Sequence, residues 1–187
     1  MEFKELIKKR QSDRKYLPTQ VEEEKIMQCI ESARLAPSAC NAQPWKFIVV
    51  DDPELKNRVA DCAESMGMNK FVHEAPVIIA LVLEKPNLTS KIGSVLKDKE
   101  YTLMDIGIVA NQFCLQAAEL DLGTCMIGWF NEKKVRKLLH IPSSKRIPLL
   151  ITLGYPNSQT REKTRKQVDE MYSRNKYNSV IMLPSDE

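Results

Sequence analysis

Two short basic clusters near opposite ends of the chain contain the residue types that bind phosphate. Arg10, Ser12 and Arg14 stand at alternate positions in the first cluster (residues 10–14), and Arg161, Lys163 and Arg165 do so in the second (residues 161–165). Their guanidinium and ammonium groups can donate charge-assisted hydrogen bonds to phosphate oxygens. Either cluster also fits a solvated surface, and an arginine pair at the end of a helix complements the helix dipole. Each cluster by itself is therefore a weak indication of a phosphate site.

A stiff loop lies between Pro37 and Pro44 and leads directly into an apolar segment. Two prolines limit its conformations, and its small residues allow a flat ligand to approach the backbone closely. Asn41 and Gln43 add amide donors and acceptors. The alternative is an ordinary helix-to-strand connection in which Trp45 is a core aromatic residue. We favour a ligand-lining loop, because polar amides are dense on so short and rigid a segment.

A third candidate segment runs from residue 122 to residue 129 and contains Gly123 and Gly128. Glycine allows a ligand or another backbone to approach the chain closely. Gly123 also stands where a left-handed residue is expected to cap the preceding helix. The segment is therefore predicted to connect that helix to the rest of the fold beside a ligand.

The hydrophobic pattern places these segments at the junctions between regular elements. Apolar residues at helical spacing predict a first helix that ends near Arg10. Thr19 and Glu22 fit a capping box that opens a second helix, which must stop near Pro37. Further helices are predicted to start at Pro53 after an Asp52 cap, to span residues 101–122 and to follow an Asn131 cap. Strands are predicted over residues 46–51, 76–83, 148–155 and 177–183. The mixture predicts an α+β fold, with helices around a small central sheet.

The composition indicates one domain spanning residues 1–187, since single domains commonly run ~100–200 residues. The formal net charge is +3 and acidic residues interrupt the basic runs, so no nucleic-acid partner is predicted. Five cysteines without a Cys-x-x-Cys pair, and two histidines, give no zinc-ligand spacing, so no metal site is predicted. No apolar run approaches the ~20 residues of a membrane helix, and no signal region is visible, so a cytoplasmic location without membrane contact is expected.

Taken together and in this order, the segments resemble the motifs of the nitroreductase family. The matching patterns are Arg-x-Ser-x-Arg, Ala-Pro-Ser-x-x-Asn-x-Gln-Pro-Trp, Leu-Gly-x-x-x-Ile-Gly and a late Lys-x-Arg. The second is the most specific, and the resemblance covers the chain nearly end to end. It implies an α+β fold with a mostly antiparallel central sheet flanked by helices. It also implies an intertwined homodimer with exchanged C-terminal segments and two flavin sites at the interface.

The resemblance implies an FMN site and its residues. The phosphate and ribityl end of FMN would be held by Arg10, Gln11, Ser12, Arg14, Lys163 and Arg165, although the family more often has Arg or His at position 11. The flavin would be lined by Pro37, Ser38, Ala39, Asn41 and Gln43, on a loop that in this family serves the flavin of the partner subunit. Backbone groups of Ile127 and Gly128 would face N5 and O4 of the ring, and Asn69 its carbonyl edge. No side chain is assigned as a general acid or base.

The implied activity is electron transfer from NAD(P)H to a small acceptor, such as a nitroaromatic or a quinone, by a ping-pong mechanism. No Gly-x-Gly-x-x-Gly follows a predicted strand, which argues against a separate dinucleotide site. A flavin oxidase, a dehalogenase, a flavin-degrading enzyme and a non-catalytic flavin-binding sensor or carrier are alternatives. Cys40 and Cys125 would lie near the flavin, but neither has a Cys neighbour in sequence that would favour a redox role. Substrate choice would depend on the segment between Glu84 and Tyr101.

Overall fold

The computed structural model describes residues 1–64, 67–84 and 100–177. Its α-helices are α1 (Phe3–Lys9), α2 (Glu23–Arg34), α3 (Pro53–Ala63), α4 (Tyr101–Glu119), α5 (Glu132–Leu138) and α6 (Val168–Met171). Its strands are β1 (Trp45–Val50), β2 (Val77–Leu83), β3 (Gly123–Ile127) and β4 (Arg146–Gly154), and short 3₁₀ turns cover Ala39–Asn41 and Lys70–Glu74. Residues 85–99, to which we assigned substrate choice, and residues 178–183 of the predicted C-terminal strand lie outside the described ranges.

The four strands form one antiparallel sheet in the order β1-β2-β4-β3. The register pairs Trp45 with Leu83, Leu83 with Arg146, and Ile127 with Leu150. The first residue of β1 and the last residue of β3 therefore lie at the same end of the sheet. They belong to the two opposite edge strands. Three strand spacings separate these edges, roughly 14 Å. The predicted α+β fold with an antiparallel sheet is confirmed.

The two central strands are buried on both faces of the sheet. Along β2, Ile79 packs with α2 and α4 on one face, and Ile78 packs with α3 and α5 on the other. This two-sided burial explains why β2 is apolar throughout rather than alternating. The predicted caps Asp52 and Asn131 are confirmed, since their carboxylate and amide oxygens accept N–H bonds at the starts of α3 and α5. None of the helices in the described ranges is both long and apolar enough to cross a bilayer.

The predicted capping box at Thr19 is wrong. Helix α2 begins at Glu23, and Glu22 occupies the cap position without a side-chain hydrogen bond to the helix. The Glu22 carboxylate instead accepts the hydroxyl of Tyr155 at 2.6 Å, and the N–H of Leu17 donates to the Tyr155 carbonyl at 2.9 Å. These contacts keep the chain extended beside the residues that follow β4, so the helix starts three residues later than the local pattern predicts.

The predicted left-handed cap at Gly123 is also wrong, and the segment that contains it is a strand. Asp121 takes the left-handed conformation, with φ 62°, and Gly123 is the first residue of β3. Aspartate tolerates this conformation because its short polar side chain can bond locally. A β-carbon on Gly123 would lie 2.9 Å from Cγ and Oδ2 of Asp13. The glycine is therefore required by a close tertiary contact and not by its φ angle.

Candidate functional site

The segment that follows α1 runs along the sheet edge beside β3. Ser12 forms a parallel bridge with Thr124, and the N–H of Asp13 donates to the Thr124 carbonyl at 2.9 Å. The hydroxyl of Tyr16 donates to the Asp13 carbonyl at 2.8 Å and lies 2.6 Å from Oγ1 of Thr152. Because Tyr16 and Thr152 are both buried, these bonds hold the backbone of the first basic cluster in place.

The chain that leaves β4 lies against the same segment. Tyr16 forms an antiparallel bridge with Pro156, and the N–H of Asn157 donates to the Lys15 carbonyl at 2.9 Å. This pairing directs the chain beyond residue 157 back towards residues 10–14. Two motifs about 150 positions apart in sequence thereby become neighbours in space.

Two cations of the second cluster bond directly to the backbone of the first. The guanidinium Nη2 of Arg161 donates to the Ser12 carbonyl at 2.7 Å, and Nζ of Lys163 donates to the Arg10 carbonyl. The bonds use backbone acceptors, so they leave the Arg10 guanidinium available to a ligand. Arg161 was not among the assigned site residues, although it stands two positions before Lys163 in the same alternating pattern.

The two clusters line one open cleft of about 350 Å³. Its lining residues are Arg10, Gln11, Ser12, Arg14, Arg161, Glu162, Lys163, Thr164 and Arg165. Five of them are basic and one is acidic, so the cleft carries an excess of positive charge. Burial lowers the pKa of Lys163, and the nearby guanidiniums of Arg10 and Arg165 lower it further. An anion in the cleft would relieve this repulsion, so the geometry suits a phosphate group.

Gln11 connects the two clusters through both ends of its side chain. Its Oε1 accepts the backbone N–H of Arg161 at 3.0 Å, and its Nε2 donates to Oδ1 of Asp13 at 2.8 Å. Asp13 is buried, and this burial raises the pKa of its carboxyl group above the usual value. The polar atoms of Gln11 are thus already engaged within the protein, which suits a role in holding the cleft together. No local sequence signal marks Asp13 as part of this arrangement.

The residues assigned to the ring edge lie at the end of β3 and on the turn beside it. The guanidinium of Arg14 lies over the ring of Phe71, 5.9 Å from its centre. Nδ2 of Asn69 donates to the Trp129 carbonyl at 3.4 Å. These contacts join the turn at residues 69–74 both to the basic cleft and to the chain immediately after Ile127–Gly128. Asn69, Ile127 and Gly128 therefore lie near the basic cleft of the same chain.

The loop that carries Pro37, Ser38, Ala39, Asn41 and Gln43 is in a different place. It precedes β1, which forms the sheet edge opposite β3, and the Ala39 N–H donates to Oδ1 of Asp105 on α4 at 3.0 Å. None of the residues that line the basic cleft comes from this loop. A single chain thus provides two separate groups of predicted site residues.

The two thiols considered from the sequence have different surroundings. Cys125 is buried, and this burial raises its pKa, which disfavours the reactive thiolate. Cys40 is exposed on the loop before β1. All five cysteines lie in the described ranges, and none forms a disulfide. Within those ranges, no group of His, Cys, Asp or Glu side chains has the arrangement of a metal site.

Comparison with known proteins gives matches along most of the chain. The model of the nitroreductase family matches residues 7–67 and 62–155. The chain is 32% identical to a putative NADH dehydrogenase/NAD(P)H nitroreductase of Methanothermobacter thermautotrophicus, over 87% of this chain and 82% of the relative. The match to the family model includes the first basic cluster, the loop before β1 and the glycine-containing strand β3.

Solved structures are similar to this chain in both fold and sequence. A nitroreductase family protein from Clostridium novyi NT is 34% identical, with a TM-score of 0.75 and coverage of 91% of each chain. An FMN-dependent nitroreductase from Clostridium difficile is 30% identical, with a TM-score of 0.73, over 93% of this chain and 98% of that one. With the family model, the sequence relative and these structures all in agreement, the chain belongs to the nitroreductase family.

Proposed function

We propose that the chain is an FMN-dependent oxidoreductase that passes electrons from NAD(P)H to a small acceptor such as a nitroaromatic or a quinone. The observation that carries the proposal is the basic cleft, in which two remote clusters meet around a space suited to a phosphate. A solved relative is an FMN-dependent nitroreductase, and a sequence relative is named as an NADH dehydrogenase/NAD(P)H nitroreductase. When bound, FMN would supply the electron-transfer chemistry, and the protein would supply its position and electrostatic surroundings.

The cleft residues divide into groups that would bind the cofactor phosphate and groups that would position them. Arg10, Ser12, Arg14 and Arg165 would donate hydrogen bonds to the phosphate oxygens. Lys163, whose pKa is lowered in the cationic cleft, would complete the set and regain a favourable environment when the dianion binds. In this arrangement Gln11 and Arg161 keep the two clusters together through the contacts described above.

The isoalloxazine ring would lie between two groups of residues. Backbone N–H groups of Ile127 and Gly128 would fix one edge, and the Asn69 amide would bond to a carbonyl oxygen of the ring. Because the loop with Pro37, Ser38, Ala39, Asn41 and Gln43 lies away from the cleft of its own chain, we assign it to the flavin of the partner subunit. The proposed site thus needs two copies of the chain.

A homodimer is also supported by an exposed apolar surface on α1 and α4, two helices that contact each other. Phe3, Ile7, Leu103, Met104 and Ile108 are between 42% and 65% exposed in the single chain. Apolar patches of this kind commonly bind another protein surface. We expect sedimentation equilibrium of the purified protein to give twice the chain mass. A monomer that retains FMN would contradict both the shared site and the proposed exchange of C-terminal segments.

The two half-reactions should be separable, because one pocket cannot hold the nicotinamide and the acceptor together. Purified protein is expected to be yellow and to release intact FMN on denaturation. Under anaerobic conditions, NADH or NADPH alone should bleach the flavin absorbance, and a quinone added afterwards should restore it. Steady-state turnover should then give parallel double-reciprocal lines, as a ping-pong mechanism requires.

Each outcome of this experiment separates the proposal from an alternative. Protein that neither contains nor takes up FMN would reject the cofactor assignment. Flavin that is never bleached by a nicotinamide would favour a sensor or carrier. Intersecting lines, together with a ternary complex trapped by a dead-end nicotinamide analogue, would show two substrate sites and reject the shared pocket while leaving the cofactor in place.

A further inference from the structure

A buried carboxylate joins α4 to the loop before β1. The Asp105 side chain is almost fully enclosed, and its Oδ1 accepts the Ala39 N–H at 3.0 Å. Its Oδ2 is buried and has no hydrogen-bond partner in the described part of the chain. Enclosing a carboxylate oxygen without a donor costs free energy of folding. Stability alone therefore does not explain a carboxylate at this position, and its bond to the Ala39 N–H points to a role in the loop conformation.

The loop that Asp105 contacts has an unfavourable backbone. Cys40, Asn41 and Gln43 have φ angles of 53°, 51° and 45°, in the left-handed region. Asparagine tolerates this region, but residues such as Cys and Gln are disfavoured there. Bonds to Ser38 stabilise the loop from within, since its carbonyl accepts the Asn41 N–H and its hydroxyl accepts the Gln43 N–H, both at 3.0 Å. Strained segments of this kind persist where surrounding groups hold them, and they concentrate at binding sites.

We propose that Asp105 is a positioning residue that holds the loop at residues 38–43 in the conformation required for FMN binding. Its charged oxygen anchors Ala39, the first residue of the 3₁₀ turn, and charge-assisted bonds are stronger than neutral ones. Without this anchor, Cys40 and Gln43 would relax towards right-handed conformations and displace Ser38 and Asn41. The cofactor part of the inference rests on the proposed function, whereas the anchoring of the loop does not.

The first test compares Asp105→Ala and Asp105→Asn in the full-length protein. Asp105→Ala should weaken FMN binding roughly tenfold or more, because a hydrogen bond to a charged group is lost. The urea midpoint of the apo-protein should change little, because the loss of that bond and the removal of the unbonded Oδ2 act in opposite directions. Asp105→Asn retains an acceptor for the Ala39 N–H, so it should recover most of the affinity.

The second test reports on the loop without the cofactor. In the single chain Cys40 is the exposed cysteine, whereas the other four are buried. A thiol reagent should therefore label Cys40 selectively in the apo-protein, and a Cys40→Ser variant identifies its signal. We expect labelling to be severalfold faster in Asp105→Ala than in wild type, and close to the wild-type rate in Asp105→Asn.

A matched control is available on the same helix. Gln112 donates to the Ser32 carbonyl at 2.7 Å and ties α4 to α2 away from the loop. Gln112→Ala should lower apo-protein stability without changing FMN affinity or Cys40 labelling. If Asp105→Ala shows wild-type affinity and wild-type labelling, the inference fails. It fails equally if affinity and stability fall together and Asp105→Asn restores neither. A wild-type protein that does not bind FMN would reject the proposed function, and Cys40 labelling would still test the anchor.

Discussion

Replacing Arg10 with alanine should weaken FMN binding by about 10- to 150-fold. The side chain lines the basic cleft, and a hydrogen bond to a charged group contributes on the order of 1.5–3 kcal/mol. The backbone contact to Lys163 should persist, because Lys163 bonds the carbonyl of residue 10 rather than its side chain. Titration of the apo-protein with FMN, followed by quenching of flavin fluorescence, measures the change.

Lys8→Ala is the matched control for loss of a positive charge. Lys8 lies in the last turn of α1, which ends just before Arg10, but it does not line the cleft. Its charge is exposed and screened by salt, so FMN affinity should be close to that of wild type. Equal affinities in Arg10→Ala and wild type would assign Arg10 to the solvated surface. An equal loss in Arg10→Ala and Lys8→Ala would indicate a general effect of charge rather than a specific phosphate contact.

Gly123→Ala should destabilise the protein and weaken FMN binding together. The new β-carbon would lie 2.9 Å from Cγ and Oδ2 of Asp13, which is buried and bonded to Gln11. Overpacking of this kind typically costs about 1–3 kcal/mol. At this chain length each kcal/mol lowers the melting temperature by roughly 2–4 °C. Gln11 bonds both to Asp13 and to Arg161, so a displaced Asp13 should also move these two residues. The cleft should then lose part of its preformed shape.

Gly128→Ala, just beyond the other end of β3, separates the steric effect from a general effect of adding a methyl group. The nearest atom to its β-carbon would be Cδ2 of Leu149, at 4.0 Å. Urea unfolding of the apo-protein should therefore give wild-type stability for this variant. If Gly123→Ala is also as stable as wild type, Asp13 has room to move, and its proposed part in holding the basic clusters must be abandoned.

Local patterns in the sequence predicted most of the regular elements correctly. Helical spacing identified α1 and α4, and the Asp52 and Asn131 caps marked the starts of α3 and α5. The apolar run of β2 identified a central strand. These features depend on neighbouring residues and on one buried face, so they can be read without knowing the rest of the fold.

The failed predictions are those in which a distant residue determines the local structure. Glu22 was predicted to form a capping box with Thr19, but its carboxylate accepts a hydrogen bond from the Tyr155 hydroxyl instead. Residues 123–127 carry no strong strand pattern, and they form β3 because β4 and the segment at residues 12–13 supply their hydrogen-bond partners. In each case a tertiary contact outweighs a local preference that is small in energy.

The residue types and their order along the chain predicted the kind of chemistry, namely phosphate binding by two basic clusters and a small, polar loop suited to a flat ligand. Only the tertiary structure decided how these groups are arranged. Burial of Tyr16 against Thr152 holds the first cluster on the sheet, and the bridge from Tyr16 to Pro156 directs residues 161–165 to its side. The strand order leaves the loop before β1 at the opposite edge of the sheet. The physical reason is that strand order and buried long-range hydrogen bonds depend on residues far apart in sequence. The spacing of neighbouring residues therefore cannot predict them.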